Sequence, residues 1–483
     1  MHTRTSKRRR LIIRTVVSTV MTMSVLLVAT VLLFIMLGYR FNKQQGAFQQ
    51  GGLVQFITTP VGARVTVGEA KLANVTPSKI TMIPGTYPVT MERKGYGTWR
   101  KTVEIKAGSI LWLNSARLVP NDLKTTKIVN YPTIGAVEFS PAGKYAAVLQ
   151  DATKPTITLL EIDRTTAKPT ELALPETAYS KGESHQFSFG DWGPAERYLT
   201  MRHTFDGRSE WLVVDTKELA KSHSIPPVGE TYPVKVDYDP RSNTSLFVLY
   251  SDGALRTYQT QSHELSEPLL NAVQSFSFVN NQHVLYVTKP TNGVTTVGYQ
   301  TLGKATPRTI SSYTTNEPVA ATAARYYEKY NLATSLGANI TIVSLSSLPN
   351  SDSTETLHSK QIASLHLPQP ATKLETHAGG RFITALQSTT QTVYDLELQK
   401  QSDVPVQKAT PPLKELNWFD DYNFYSTSGG MLRFYEFDGS NQHDITSVVE
   451  GMPAMFSDNN KYLYTVAKTE SGYQIQATTM ILE

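Results

Sequence analysis

The chain has 483 residues, with 46 Lys and Arg against 41 Asp and Glu, a net charge of +5, and no cysteine. The lack of cysteine excludes disulfides, thiolate–zinc sites and cysteine nucleophiles. Six of the basic residues precede Val16, which leaves 40 basic against 41 acidic residues in the rest of the chain. That remainder is close to neutral, so we do not expect a nucleic-acid partner.

The first element in chain order is an apolar segment, Val16–Leu37, with no charged residue, Pro or Gly. As a helix it would extend about 33 Å, enough to cross a hydrocarbon core of about 30 Å. The residues before it are basic and no acidic residue occurs among the first 52; the basic ones are Arg4, Lys7, Arg8, Arg9, Arg10 and Arg14. Because positive flanks stay in the cytoplasm, we expect residues 1–15 inside and the chain from Tyr39 onward outside, with Tyr39 and Phe41 at the outer interface.

The alternative for this segment is a cleaved signal peptide, whose apolar region has about 7–15 residues and ends in a small-x-small site. Val16–Leu37 is longer, and no A-x-A motif follows it. The sequence therefore predicts an uncleaved signal anchor, residues 16–37, in a single-pass cell-membrane protein with most of its chain extracytoplasmic. Residues 38–51 are rich in Gln and Gly, which predicts a short juxtamembrane stalk.

Residues 52–120 contain short segments with period-two alternation, separated by Pro and Gly. Such segments predict a small antiparallel β-sandwich. Pro84-Gly85 fits a type II turn, because Pro fixes φ at one position and Gly takes a positive φ at the next.

Four motifs within these residues occur in a characteristic order: Thr58–Ala63 (TTPVGA), Asn74–Ser78 (NVTPS), Ile83–Val89 (IPGTYPV) and Lys94–Trp99 (KGYGTW). This set resembles the PEGA domain family, named for a Pro-Glu-Gly-Ala turn, although Val61 here takes the place of the Glu. The resemblance implies a small β-sandwich of surface-exposed prokaryotic proteins, without established catalytic residues or an agreed ligand. It also implies that the turn residues are structural: Pro60, Gly62, Ala63, Pro84, Gly85 and Gly95.

Two aromatic residues of the last motif, Tyr96 and Trp99, are candidates for ligand binding by stacking on a sugar. The alternative is that both rings fill the sandwich core and its edge.

From Asn121 onward one pattern recurs: a strand ending in an aromatic or apolar residue, a polar turn, and a second apolar strand. The copies are Val137–Leu149, Phe187–Met201, Val236–Leu249, Phe276–Val287 and Ala454–Val466, with weaker ones at Thr376–Leu386 and Leu416–Ser426. Most are followed by a third strand. Repeats of this size predict a β-propeller for residues 121–483.

The residue that closes the first strand of each unit marks the period. These residues are Phe139, Phe189, Tyr238, Phe278, Phe419 and Phe456. The interval from the first to the last divides by seven into units of about 45 residues, which favours eight blades. If Asn316–Tyr330 is a helical insertion in the weak fifth unit, the number drops to seven.

Four polar segments are predicted to connect the blades: Lys217–Thr231, Gly303–Glu317, Ser346–Pro370 and Leu398–Pro412. The third is rich in Ser and Thr and long enough for function or disorder, and we expect disorder. Units such as FSPAGKYAAV and FSDNNKYLYTV resemble the repeats of TolB-like and dipeptidyl-peptidase-type (WD40-like) propellers.

No catalytic motif is present. The sequence lacks a G-x-S-x-G elbow, a P-loop, an H-E-x-x-H pair and an EF-hand loop. The last repeat ends near Glu483, so a further hydrolase domain is not expected. The ten histidines show no i, i+4 pair, and we expect each at the surface or satisfied in the core. The adjacent Asp420 and Asp421 would face opposite sides of a strand and fit a turn better than an acid–base pair.

The sequence thus predicts a mainly β protein without cofactor or metal. We expect a non-catalytic binding or scaffolding protein of the prokaryotic cell envelope, which recognises a cell-wall glycan or an envelope protein. The alternatives are a propeller hydrolase or lyase that acts on envelope glycans, and a sensor, which the short cytoplasmic tail disfavours.

Overall fold

A computed structural model describes residues 7–36, 38–42, 46–409 and 417–482. The chain divides into two compact units, Met1–Asp122 and Leu123–Glu483. We describe each unit by itself.

The N-terminal helix α1 is Lys7–Met36. Its apolar part, Leu11–Phe34, is long enough to cross a membrane, and none of it is buried by the rest of the protein. The helix predicted at this position is therefore confirmed, although it begins earlier than predicted and includes most of the basic flank. Residues 1–6 of the predicted tail lie outside the described residues.

The segment predicted as a stalk contains a short antiparallel hairpin of β1 (Tyr39–Asn42) and β2 (Ala47–Gln50). The Gln and Gly content favours a linker, but aromatic and polar residues alternate in Tyr39–Asn42, a pattern that suits paired strands. The ring of Tyr39 packs edge-on against Phe34, with centroids 5.0 Å apart. Residues 43–45, between the two strands, lie outside the described residues.

Residues 52–117 form a sandwich of two sheets, with its core between them. The strands are β3 (Gly52–Thr59), β4 (Arg64–Val67), β5 (Ala70–Lys71), β6 (Ser78–Met82), β7 (Gly85–Glu92), β8 (Trp99–Ile105) and β9 (Ile110–Arg117). One sheet has the order β6-β3-β9 and the other β5-β4-β7-β8. Alternate residues of β3 point inward, and Val54, Phe56 and Thr58 are almost fully buried.

The sequence predicts an antiparallel sandwich. The structure differs in one strand pair, because β3 and β9 pair in parallel. Both strands therefore run from the end where the chain enters the sandwich to the end where it leaves. At the first end Gly108 N donates to Gly51 O (3.1 Å); at the other, Asn121 N donates to Gly95 O (2.9 Å). Eight residues of β9 cover roughly 26 Å, which separates the two ends of the sandwich.

The predicted type II turn at Pro84-Gly85 is wrong. Gly85 has a φ of 157°, far from the ~80° of that turn, and already belongs to β7. The reason for Gly is space, because a Cβ at this position would lie 3.3 Å from the ring of Tyr87. Tyr87 Oη donates to Ile83 O (3.0 Å), which holds that ring over the bend.

The second unit begins with β10 (Thr125–Tyr131) and continues as antiparallel sheets whose strands follow chain order. Sheet 1 contains β11 (Ala136–Phe139), β12 (Tyr145–Leu149), β13 (Thr156–Asp163) and β14 (Thr166–Ala173). Sheet 2 contains β15 (His185–Trp192), β16 (Tyr198–Phe205), β17 (Arg208–Asp215) and β18 (His223–Ser224). Sheet 3 contains β19 (Pro233–Tyr238), β20 (Ser245–Tyr250) and β21 (Leu255–Gln259). Sheet 4 contains β22 (Val273–Phe278), β23 (His283–Thr288), β24 (Val294–Thr301) and β25 (Arg308–Thr314).

Sheets 5 to 8 repeat this arrangement. Sheet 5 contains β26 (Val319–Tyr326), β27 (Lys329–Leu336), β28 (Asn339–Leu345) and β29 (Ser359–His366). Sheet 6 contains β30 (Lys373–His377), β31 (Phe382–Leu386), β32 (Thr390–Asp395) and β33 (Lys400–Pro405). Sheet 7 contains β34 (Asn417–Trp418), β35 (Asn423–Ser426), β36 (Met431–Glu436) and β37 (His443–Ser447). Sheet 8 contains β38 (Met455–Phe456), β39 (Tyr462–Thr469) and β40 (Gly472–Thr479). Within the described residues this unit thus has eight sheets.

The ring is closed by the two ends of the unit. Strand β10 pairs with β40 as the outer strand of sheet 8, and the hydroxyls of Thr125 and Thr478 are 2.9 Å apart. Sheet 8 then packs on sheet 1 through a shared core that includes Phe139 and Tyr464. Sheets 7 and 8 meet at Phe419 and Phe456, whose centroids are 5.1 Å apart. Because the other neighbours also share apolar cores, the unit is a closed β-propeller.

The structure decides one alternative that the sequence left open for this unit and corrects one prediction. The segment Asn316–Tyr330 is not a helix; it contains β26 and the start of β27, joined by a tight turn at Tyr327 (φ 51°). Its Ala residues suit a helix, but here they pack between neighbouring sheets. The four polar connections each contain the outermost strand of a sheet, β18, β25, β29 or β33. The disorder expected for Ser346–Pro370 is therefore not found, and residues 410–412 of the last connection lie outside the described residues.

One charged arrangement recurs in sheets 2 and 6. Asp215 and Asp395 each close a third strand and accept from two backbone N–H groups of the following turn. Each is also paired with the Arg that directly precedes the second strand, Arg197 (2.7 Å) and Arg381 (2.8 Å). A carboxylate saturated in this way tolerates burial, so the pair fixes the turn in both repeats.

Candidate functional site

The first strands of four successive sheets border a cavity of about 390 Å³ on the inner side of the propeller ring. We call it the channel cavity. Its walls come from β19, β22, β26 and β30, with β23 behind them, and its wall residues include Lys235, Ser277, Thr322 and Glu375. First strands surround the axis of a propeller, so the cavity is part of the central channel. Its volume lies in the range of small-molecule sites.

The first ion pair beside the cavity belongs to β19. Lys235 Nζ lies 2.8 Å from Asp237 Oδ2 and donates to Phe276 O at 3.0 Å. The same ammonium lies 4.3 Å from the centre of the Phe276 ring, a cation–π contact. Residues two apart on a strand point to the same side, which is why a Lys and an Asp at this spacing meet. The Lys235 charge is thus compensated within the protein.

The second ion pair belongs to β30. Lys373 Nζ lies 2.8 Å from Glu375 Oε1, and His377 Nε2 lies 3.7 Å from Glu375 Oε2. Burial by itself would raise the pKa of Glu375, but the neighbouring His377 and Lys373 outweigh it and hold the pKa at about 2. Glu375 is therefore an anion at every physiological pH. The His377 ring is stacked on Trp418 with centroids 4.6 Å apart, which fixes its orientation.

Hydroxyl groups make up the rest of the polar wall. Ser275, Ser277, Thr322 and Thr376 border the cavity, and within the described residues their side chains make no hydrogen bond. Each hydroxyl can donate one hydrogen bond and accept two. The cavity therefore combines ion pairs that are already satisfied with hydroxyls whose hydrogen-bonding capacity is unused.

A second polar cluster lies within sheet 2. The carboxylate of Glu210 accepts from Ser180 N (2.7 Å), Ser180 Oγ (2.9 Å) and His203 Nδ1 (2.8 Å). Burial would raise the pKa of Glu210, but the bonds from His203 and Ser180 lower it, so Glu210 is an acceptor only. His203 is fully buried, and its Nε2 lies 2.9 Å from Nδ1 of His185.

These bonds assign the tautomers of both rings when they are neutral. His203 Nδ1 must donate to Glu210, so His203 Nε2 accepts from His185 Nδ1, and the lone pair is left on Nε2 of the half-buried His185. The rings of Phe187 and Phe205 stack on His203, with centroids 4.4 and 5.0 Å away, and hold the imidazole in place. We call Glu210, His203 and His185 the histidine relay.

The two aromatic residues proposed from the sequence as ligand contacts, Tyr96 and Trp99, are 6% and 1% exposed. The structure places both rings in the sandwich core, the alternative weighed above, and offers a sugar neither ring face. Stacking by these residues stays a prediction that this conformation does not support. The exposed tryptophan of the sandwich is Trp112, at 42%.

The structure shows how the turn Pro60–Ala63 is held. The Thr76 hydroxyl accepts from the N–H groups of Gly62 (3.1 Å) and Ala63 (3.0 Å) and lies 2.6 Å from the Thr58 hydroxyl, which donates to Pro60 O (2.7 Å). Gly62 has a φ of 95°, which favours Gly.

Gly95, in the later motif, has a φ of 87° and accepts from Asn121 N. Together with Pro84 and Gly85 at the bend described above, these residues lie at turns of the sandwich.

Sequence reasoning missed both the channel cavity and the histidine relay. Lys235 and Glu375 are 140 positions apart, and only the ring brings their strands together. His185 and His203 are 18 positions apart and meet because β15 and β16 are antiparallel neighbours. A usable signal was the spacing i, i+2 within each charged pair, Lys235 with Asp237 and Lys373 with Glu375, since on a strand it places both charges on one side. Among the described residues no group of three or more His, Asp or Glu is placed to hold a metal ion.

One family model and several solved structures are similar to parts of this chain. Residues 53–120 match the family model described as PEGA domain. No curated protein matches the chain. The solved structures similar to it include a Dos1 propeller (14% identity, 74% of this chain and 95% of that chain, TM-score 0.49). A second is the Cps50 (Swd1) β-propeller domain of Myceliophteria thermophila (9% identity, 74% of this chain and 100% of that chain, TM-score 0.41). A third is an oligogalacturonate lyase in complex with manganese (10% identity, 73% of this chain and 99% of that chain, TM-score 0.41).

The fold therefore defines a class of protein in which an N-terminal helix long enough to span a membrane precedes a small sandwich and a closed β-propeller. The sandwich is a PEGA domain, as its four motifs had indicated.

Proposed function

We propose that the chain is a non-catalytic binding and scaffolding protein of the prokaryotic cell envelope, which recognises a cell-wall glycan in the channel cavity. The observation that carries this proposal is the set of unused hydroxyls at Ser275, Ser277, Thr322 and Thr376, beside ion pairs that are already satisfied. A neutral ligand rich in hydroxyls matches such walls, because it leaves the ion pairs intact and supplies partners for the Ser and Thr groups.

The proposed location follows from the helix and its flank. Arg8, Arg9, Arg10 and Arg14 precede or begin the apolar span, and positive flanks stay on the cytoplasmic side. With the N-terminus inside, the sandwich and the propeller are extracytoplasmic. The sandwich receives the chain at one end and releases it at the other, which suits a spacer between a membrane anchor and a binding unit.

The size and the walls of the cavity favour a glycan over a protein partner. A volume of about 390 Å³ accommodates a few sugar units and no folded surface. The half-buried Phe278 adds apolar wall, against which the C–H face of a sugar ring can pack. An envelope protein is the alternative partner, and it would require a broader surface than the cavity.

The test uses the full chain in detergent and purified insoluble cell wall as the probe. In the double variant Ser277→Ala/Thr322→Val two cavity hydroxyls are removed with little change in shape. Two lost hydrogen bonds at about 0.5–1.5 kcal/mol each predict roughly 5- to 150-fold weaker retention. The control is Thr170→Val, an exposed residue of β14. If the cell wall retains the double variant as well as the unchanged chain, the glycan does not bind in the channel cavity. If only a protein fraction of the envelope retains the chain, the partner is an envelope protein.

The histidine relay favours a second candidate function, acid–base catalysis on envelope glycans by a propeller hydrolase or lyase. Glu210 fixes the tautomer of His203, which in turn leaves a lone pair on His185 Nε2, the arrangement of a general base. Turnover of a glycan that is lost in His185→Asn but kept in His366→Asn, an exposed histidine, would support it.

A further inference from the structure

The outer face of the sheet β6-β3-β9 carries two rows of side chains that face away from the sandwich core. The first row is Thr81, Leu53 and Ile110, and the second is Lys79, Gln55 and Trp112; the register of the three strands places the members of each row side by side. Ile110 is 53% and Trp112 is 42% exposed, and Lys79 is exposed. We call these six residues the outer face.

The helix α1 leads onto this same face. Gly38, the second residue after α1, accepts a hydrogen bond from Gly51 N (2.9 Å), and a Cβ built on Gly38 would lie 4.0 Å from the Thr81 methyl group. Gly51 also lies against Thr81 and directly precedes β3. The point where the chain leaves the helix is therefore in contact with the first row of the outer face.

The distances suit a surface that meets the bilayer. Neighbouring strands are about 4.8 Å apart, which puts Ile110 roughly 10 Å from Thr81 within the first row. The two rows are separated by two residues, roughly 7 Å. The interfacial layer on each side of a ~30 Å hydrocarbon core is about 5–8 Å thick. A face that begins at the end of a spanning helix therefore reaches this layer.

The composition also suits that layer. Trp is enriched at membrane interfaces because its ring is amphipathic, and Lys reaches lipid headgroups while its stem covers apolar surface. An exposed Ile next to an exposed Trp on one face of a sheet is costly in water and favourable at the acyl boundary. Lys106, exposed in the turn before β9, adds a second positive charge near the first row.

We propose that the outer face of the PEGA domain docks on the outer surface of the bilayer, with Ile110 and Trp112 at the headgroup–acyl boundary and Lys79 on anionic headgroups. This proposal rests on the proposed anchoring by α1 and goes beyond it.

The lack of cysteine makes the test direct, because one introduced cysteine takes one label. In the full chain, Ile110→Cys is labelled with an environment-sensitive fluorophore and reconstituted in vesicles of phosphatidylcholine and phosphatidylglycerol. The matched control is Val61→Cys, 54% exposed at the opposite end of the sandwich. We expect lipids with a shallow spin label to quench the label at position 110 at least twice as strongly as the label at position 61. Adding Lys79→Gln, which removes one positive charge, should weaken docking about fivefold, in keeping with the attraction of one lysine to anionic lipid.

The outcomes separate the docking from the anchor. A chain that stays in vesicles after a carbonate wash but gives equal, water-like signals at both positions would overturn the docking and keep the anchor. A label at position 110 that responds only to added cell-wall fragments would overturn it in favour of a glycan. A chain removed by the wash would refute the anchor and the docking together.

Discussion

Two tryptophans of the PEGA domain, thirteen positions apart, should respond very differently to truncation. Trp99 on β8 is 1% exposed and packs in the sandwich core, whereas Trp112 on β9 is 42% exposed on the outer face. Burying an aromatic side chain of 150–250 Å² at about 25 cal/mol per Å² corresponds to roughly 4–6 kcal/mol. Measured Trp→Ala changes in cores cost about 3–5 kcal/mol, and we expect that cost for Trp99→Ala.

For Trp112→Ala we expect about 1 kcal/mol, because a strand-surface substitution changes stability only within that span. The assay is urea unfolding of a fragment of residues 46–122, which we predict to fold by itself. A domain of this size is stable by roughly 3–10 kcal/mol. Trp99→Ala should therefore unfold the fragment or lower its midpoint by a few molar, at about 1 kcal/mol per molar urea. Equal midpoints for the two variants would refute the burial of Trp99 and restore its candidacy for stacking on a sugar.

Three further changes test other parts of the structure. Thr76→Val should cost about 1–3 kcal/mol in the same fragment, because the N–H groups of Gly62 and Ala63 lose their side-chain acceptor; an unchanged midpoint would contradict this. Gly143→Ala should destabilise the propeller far more than Gly207→Ala. Both glycines have a positive φ, but only at Gly143 would a Cβ overlap the Phe456 carbonyl of sheet 8. Equal melting temperatures of the two variants would argue against this ring closure. Burial lowers the pKa of His283, so below about pH 6.5 the unfolded chain binds a proton that the folded chain does not. The free energy of unfolding should therefore decrease as the pH is lowered below about 6.5. His283→Gln should flatten that dependence in thermal unfolding, whereas His366→Gln, at an exposed site, should not.

The parts of the fold that the sequence revealed are those that are buried on both faces. In β20 every residue from Ser245 to Tyr250 is buried, and such strands appear as continuous apolar segments before or after a polar turn. The aromatic residues that close the first strands, such as Phe139 and Tyr238, also lie where the repeat spacing placed them. The four motifs of the PEGA domain could be recognised from the sequence because they mark turns, where the backbone restricts the residue type.

The outermost strands of the sheets could not be recognised from the sequence, for a physical reason. β29 (Ser359–His366) is mostly exposed, so its sequence SKQIASLH shows no apolar alternation and resembles a loop. In β26 the Ala residues carry a helical propensity that packing between neighbouring sheets overrides. The parallel pairing of β3 with β9 depends on contacts between distant segments, which local alternation does not encode.

The candidate site was beyond sequence reasoning because it is assembled by ring closure. Ser277, Thr322 and Thr376 are ordinary strand residues by themselves, and only their common position on the inner side of the ring makes them cavity walls. The relay from Glu210 to His185 likewise depends on strand pairing rather than on spacing that a motif could reveal.

The measurement that tests the proposed function most directly is the chemical fate of a retained ligand. The full chain is incubated with soluble peptidoglycan fragments and envelope polysaccharides, and the bound and free fractions are analysed by mass spectrometry over several hours. The proposal predicts saturable retention, weakened in Ser277→Ala/Thr322→Val, with every ligand mass unchanged. Conversion of a glycan to products, abolished by Glu210→Gln or His185→Asn in a chain that remains folded, would contradict the binding function and establish an enzyme.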